Sequence, residues 1–166
     1  MTTPTIFNPR SARARRQVLS RFGFKAYLWA RLPLAAVAGL RLESLDEARC
    51  VVRLPGGWRT TNPFRSTYFA AQAMAAEMST GAPAMVLSQG APGSVSMLVR
   101  EVHATFTKKA VGTTFFTFAD VGAMAATIER AAQTGEGQAF VAHSSGGLAD
   151  GTVVAEFEIH WSFKRR

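Results

Sequence analysis

The chain has 166 residues, 48% of them hydrophobic and 18% charged, which excludes a disordered polymer and suits one domain with a substantial core. Its apolar runs are too short for integral membrane insertion, the longest, residues 32–40, being about half of what a bilayer requires, and the lone Cys50 excludes an intrachain disulfide framework and a cysteine-based zinc site. A net charge of +8 and a pI near 10.8 favour an anionic partner, yet no helix-turn-helix, finger or stacking-aromatic motif accompanies the charge, so nucleic acid is not an expected partner.

Basic residues are front-loaded: Arg10, Arg13, Arg15, Arg16, Arg21, Lys25 and Arg31 all precede the first acid, Glu43. This start resembles an organelle transit peptide, but no signal-type apolar region follows, and we read it as part of the mature protein in a reducing cytoplasm. Residues 1–16 read as irregular or as a frayed helix start. From Gln17 the apolar Val18, Leu19, Phe22, Leu28, Trp29 and Leu32 recur at helical spacing and predict an amphipathic helix ending before Pro33. Its arginines leave two placements open, on a membrane surface or over the flank of its own domain. Residues 1–38 thus form a basic N-terminal segment, and 39–166 the main domain.

Residues 39–54 predict a hairpin in which Cys50, Val52 and Leu54 alternate with Arg49 and Arg53. After a loop, Ser66-Thr67 reads as a helix N-cap pair, and an alanine-rich helix runs on until Gly81 and Pro83 end it. Residues 97–108 alternate as a strand with Val102, Ala104 and Phe106 on one face, and 113–119 form another. Residues 121–134 read either as a helix or as a helix followed by a strand. Residues 138–145 are a strand stopped by Gly146-Gly147, and the last strand turns Val153, Ala155, Phe157, Ile159, Trp161 and Phe163 inward. This order predicts an α+β fold, an antiparallel sheet packed on a slim central helix.

Between Tyr68 and Met78 the strongly polar side chains are Gln72 and Glu77, about 140° apart around the helix. Glu77 shares its face with Ala70, Ala73 and Met74. Such a carboxylate is either a general base whose pKa desolvation raises, or part of a structural hydrogen-bond network reaching solvent near the helix end. Backbone N–H groups around Ser66 to Phe69 offer an anion or carbonyl site at the other end of the helix. The two ends lie too far apart on one helix to act on one carbonyl. His103, His143 and His160 lack metal-ligand spacing along the chain, so no metal site is expected, and no nucleotide or serine-hydrolase motif appears.

The stretch Asn62-Pro63-Phe64-Arg65-Ser66-Thr67-Tyr68-Phe69-Ala70-Ala71, running on to Glu77, resembles the central-helix motif of hotdog-fold acyl-CoA thioesterases of the phenylacetate-pathway type. Those read Asn, a glycine three residues on, His-Gly-Gly, and an acid fifteen after the Asn. Asn62 and Glu77 match the first and last positions, whereas Arg65 stands at the glycine and Tyr68-Phe69-Ala70 at His-Gly-Gly. The match is closer to a little-characterised bacterial branch with a tyrosine-containing helix start.

The resemblance implies a hotdog sheet wrapped around the central helix, with an added N-terminal helix. It implies thioester hydrolysis with Glu77 and Asn62 catalytic, Ser66, Thr67, Tyr68 and Phe69 around the thioester oxygen, and Arg65 on coenzyme A phosphates. It also implies no cofactor, and a homodimer or dimer of dimers whose site lies between subunits. The alternative it leaves is a non-catalytic acyl-CoA or fatty-acyl binding protein. A hotdog dehydratase fits less well, because this chain lacks a His poised with the helix acid.

Overall fold

The computed structural model describes residues 5–166, so the reading of residues 1–4 lies outside it. In chain order the elements are α1 (Pro9–Leu19), α2 (Arg21–Arg31), α3 (Pro33–Ala38), β1 (Arg41–Leu45), β2 (Cys50–Leu54), α4 (Phe69–Gly90), β3 (Val95–Phe106), β4 (Thr114–Phe118), α5 (Val121–Thr134), β5 (Gln138–Leu148) and β6 (Val153–Arg165). The six strands form one antiparallel sheet in the order β1-β2-β4-β5-β6-β3. Helix α4 packs against β2, β3, β4, β5 and β6, so the expected sheet around a central helix is observed. Among the described residues no helix is long and apolar enough to cross a membrane.

The N-terminal region departs from expectation. Helical order starts at Pro9, because Asn8 Oδ1 accepts from the Arg10 and Ser11 amides at 3.1 and 3.2 Å and Pro9 is preset for the first turn. The single helix expected up to residue 32 is two helices broken at Ser20, whose extended backbone and Oγ cap α2 through Gly23 N–H at 3.3 Å. Val18 and Leu28 are buried as expected, whereas Phe22 is 88% and Trp29 56% exposed.

Helix α4 does not end at Gly81 and Pro83 but continues to Gly90. Buried Pro83 sits within a helix that the sheet covers on several sides and that α1 also touches, and this packing outweighs the lost backbone bond. Asn8 Nδ2 donates to Gly90 O at 2.7 Å, so one side chain caps the start of α1 and the end of α4.

Strand β3 lies at the sheet edge, where Val102, Ala104 and Phe106 share one face as expected, opposite Ile159, Phe157 and Ala155, and all three are exposed. In β6, Val153 is exposed and Val154 buried, while the inward set from Ala155 to Phe163 stands. Residues 121–134 are helical throughout.

Gly146-Gly147 does not stop β5, which runs on to Leu148. Gly146 pairs with Phe116, and a Cβ there would lie 2.6 Å from the buried Phe116 ring, so the ring occupies the space a side chain would take. Gly146→Ala is therefore expected to destabilise the fold by about 1–3 kcal/mol through overpacking, read as a lower urea midpoint with an unchanged m-value.

Candidate active site

The loop before α4 is organised by Asn62. Its Oδ1 accepts from Phe64 N–H at 3.0 Å, Ser66 N–H at 3.2 Å and Ser66 Oγ at 3.3 Å. Its backbone closes the turn in both directions, accepting from Arg65 N–H at 3.0 Å and donating to Ser66 O at 2.9 Å. Arg65 adopts φ 58°, the one left-handed non-glycine residue among the described residues. That geometry is the physical reason a glycine suits this position, and Arg65 takes it with its side chain exposed.

Ser66 and Thr67 do not cap the helix. Tyr68 holds the N-cap position in an extended conformation and makes no side-chain cap. Its N–H is taken by Thr60 O at 2.7 Å, and that of Thr67 by Ala110 O at 2.8 Å. Buried Gln72 steadies this junction from inside the helix, donating from Nε2 to Thr67 O at 3.2 Å. Among the described residues no acceptor meets the N–H groups of Phe69 and Ala70, the first two residues of the helix. The amides left free at this helix start are therefore those of Phe69 and Ala70 rather than that of Tyr68. The exposed rings of Tyr68 and Phe69 meet edge to face at 4.9 Å, and Phe69 reaches the Phe106 ring at 6.5 Å.

Glu77 lies eight residues into α4 on the half-buried stripe of Ala70, Ala73 and Met74. Burial pushes its carboxyl above the usual carboxylate range, and no hydrogen-bond donor among the described residues meets it. Gly81, one turn on, makes the room: a Cβ there would lie 2.8 Å from Glu77 Oε1 and 3.4 Å from Trp161. Trp161 Nε1 donates to Thr80 Oγ1 at 2.9 Å, and Thr80 Oγ1 donates to Glu77 O at 3.0 Å, which fixes the turn that carries the acid. The sequence offered Gly81 only as a helix stop and Trp161 only as an inward strand residue, and did not place either, or Thr80, around Glu77. A glycine four residues after a lone helical carboxylate is the signal that would have found the first of them.

These groups do not all converge within one chain. At 1.5 Å per residue the free amides and Glu77 stand about 12 Å apart along α4, and Asn62 lies off the helix in the preceding turn. A surface cavity of about 380 Å³ opens between the C-terminal half of α4 and β3, lined by Arg10, Met85, Ser88, Val95 and Met97, and contains none of the residues above. His103, His143 and His160, separate along the chain, do meet on the outer face of the sheet with Glu101 and Glu158.

A family profile described as a domain of unknown function, DUF4442, matches residues 21–163. The chain belongs to the DUF4442 family. No curated protein sequence matches it. Among solved structures, the DUF4442 chain is similar to PA5026 of Pseudomonas aeruginosa, a protein of unknown function described as a probable thioesterase, at 19% identity over 94% of this chain and 96% of that one, with TM-score 0.69. A mutant of thioesterase PA1618 from the same organism shares 16% identity over 92% and 99%, with TM-score 0.67. The PaaI protein of the E. coli phenylacetic acid degradation operon shares 15% over 95% and 96%, with TM-score 0.62. At these identities the likeness establishes the fold, and this DUF4442 chain is a hotdog domain.

The Glu77 environment has a consequence for stability. A carboxyl whose pKa is raised by folding favours the native state when protonated, and that contribution is lost as pH rises through its raised pKa. Glu77→Gln removes the buried charge, so the variant is expected to melt a few degrees above wild type at pH 7, with the gap closing toward pH 4. Thermal melts of both proteins across this range provide the check.

Proposed function

We propose that this DUF4442 protein is an acyl-CoA thioesterase, working as a homodimer whose active site is shared between two copies. The observation that carries the reading is Glu77, a half-buried carboxylate that no donor among the described residues meets, raised in pKa by burial and given room by Gly81. A general base of this kind takes a proton from water as the water oxygen attacks the thioester carbonyl carbon. The oxyanion that forms needs preorganised donors, and the Phe69 and Ala70 amides at the positive end of α4 suit it. Collapse of the tetrahedral intermediate breaks the C–S bond, and the proton held by Glu77 passes to the departing thiolate.

The 12 Å separation estimated along α4 supports a second copy that sets its helix start against this chain's Glu77. The edge strand β3 gives such a copy a place to pair: it has a neighbour on one side only and exposes Leu98, Val102 and Phe106. Asn62 retains its Nδ2 group to orient substrate or water, since its Oδ1 serves the turn. Ser66 and Thr67 shape the loop, Tyr68 offers an exposed hydroxyl to substrate, and Arg65, held outward, suits a coenzyme A phosphate. The free buried thiol of Cys50 fits a cytoplasmic setting.

A second reading, an acyl-CoA or fatty-acyl binding protein without turnover, is favoured by one observation: Tyr68 replaces the histidine expected to orient substrate, while Asn62 Oδ1 is committed to its turn. Steady-state hydrolysis across acyl-CoA chain lengths separates the two. Under the thioesterase reading Glu77→Gln lowers kcat by at least about a hundredfold; full activity in the variant removes Glu77 from the mechanism, and tight binding with no turnover in wild type favours the second reading.

The shared site has its own test. Phe69→Pro removes one helix-start amide at the position where proline is tolerated, after an extended Tyr68. Alone, Phe69→Pro and Glu77→Gln chains are each expected to be inactive. Refolded together, they form mixed dimers with one intact site, and activity returns. Mixtures that stay silent despite forming mixed dimers place the site elsewhere.

A further inference from the structure

Strand pairing gathers all three histidines of the chain on the sheet face turned away from α4. The cause is an irregularity in β3: Val99 pairs with Trp161, and Glu101, not Arg100, pairs with His160. The extra residue at Arg100 puts Glu101 and His103 on the outer face beside His160 and Glu158, where a regular ladder would turn Glu101 inward. The thioesterase reading uses none of these side chains.

Their geometry is that of a partly assembled ligand set. Glu101, His103 and His160 each offer a ligand atom, and the three atoms lie within 4.8 Å of one another. His103 Nε2 lies 2.8 Å from Glu101 Oε1, and His160 Nδ1 lies 4.0 Å from Glu101 Oε2. The other nitrogen of His160, Nε2, is 2.7 Å from Glu158 Oε1. In the tautomer that donates from Nε2 to this carboxylate, Nδ1 is left as a lone-pair donor on the side of Glu101, the carboxylate–histidine–metal arrangement of ligating imidazoles. His143 stands on the far side, its Nδ1 3.9 Å from Glu158 Oε2, outside the set.

We propose that Glu101, His103 and His160 bind a divalent transition-metal ion, with zinc as the natural occupant. Two imidazoles and a carboxylate suit zinc, and water completes the tetrahedron. The ion joins edge strand β3 to β6 through side chains on both, so it stabilises the pairing at the free edge of the sheet. Glu158 is a positioning residue that sets the tautomer of His160. The ligand atoms sit on exposed or half-buried side chains of two paired strands, and an ion between them takes the place of the His103 Nε2–Glu101 contact.

Titration of Zn²⁺ into the full chain prepared without a polyhistidine tag, in competition with a chromogenic chelator, tests the assignment. The expected result is one equivalent per chain and a melting temperature that rises with free zinc. His103→Ala and His160→Ala are each expected to weaken binding at least about tenfold, Glu158→Gln to weaken it in the same direction, and His143→Ala to leave it unchanged. Co²⁺ in place of zinc gives tetrahedral d–d absorption that disappears in His160→Ala. Absence of stoichiometric binding in wild type overturns the proposal, as does binding that survives loss of both His103 and His160. An equal loss on removing His143 overturns the ligand set. Circular dichroism of each variant separates lost ligation from lost fold.

Discussion

The close approach of the sheet to α4 is the constraint on which the rest depends. Strands can wrap a helix only if the helix is slim, and α4 meets the sheet with Ala71, Ala75, Ala76, Ala82 and Ala84 rather than with large side chains. Most polar groups that such a helix carries inward find partners within the fold, Gln72 Oε1 and Ser88 Oγ being buried without one among the described residues. Ser79 Oγ meets Ser144 Oγ on β5 at 2.8 Å, and Thr80 accepts from Trp161 on β6. These two contacts tie successive residues of α4 to neighbouring strands, which fixes the rotation of the helix beneath the sheet. Fixing that rotation also fixes where Glu77 points, on the half-buried stripe it shares with Ala70, Ala73 and Met74.

Bulk enters where the helix does not supply it. Phe116, Phe118, Phe157, Trp161 and Phe163 are buried on the sheet; Phe116 meets Phe157 edge to face at 5.8 Å, Phe118 meets Phe140 edge to face at 6.2 Å, and Trp161 stacks on Phe163 at 6.2 Å. Gly146 and Gly81 are the complementary vacancies, one giving room to a ring and the other to a carboxylate. Both substitutions to alanine insert the same methyl group, but the neighbours differ in kind. Phe116 is rigid and buried, whereas the end of Glu77 can swing aside, so the first site answers to stability and the second to the position of the acid.

The architecture was legible because its signals are periodic and long. The alternation from Ala155 to Phe163, the Cys50-Val52-Leu54 strand and the alanine-rich helix each repeat their pattern several times, and all stand in the structure. Boundaries set by single residues were less legible. Pro83 and Gly146-Gly147 read locally as stops, but burial overrides the local preference at both. Ser20 erred in the other direction: one hydroxyl cap broke a helix whose apolar spacing ran straight through it. Of the candidate site, the isolation of Glu77 could be read from its neighbours, since desolvation follows from the residues flanking it on one face. The engagement of Asn62 Oδ1 and of the Tyr68 amide could not, because both depend on how the loop from 58 to 68 closes.

The same reasoning explains why the groups of the proposed site are spread along α4 rather than gathered at one point. A helix offers free amides only at its first turn, and an acid placed in that turn would be drawn to them as a cap and held ionised. Glu77 escapes that pairing by standing two turns further on, where burial rather than the helix dipole governs its proton. Separation along the helix therefore keeps the donors unfilled and the carboxyl basic at once. A single chain cannot relieve that separation without losing one of the two properties. A second helix start, brought in across an open sheet edge, can supply donors to the acid without having capped it during folding, which is why the β3 edge matters as much to the proposed chemistry as Glu77 does.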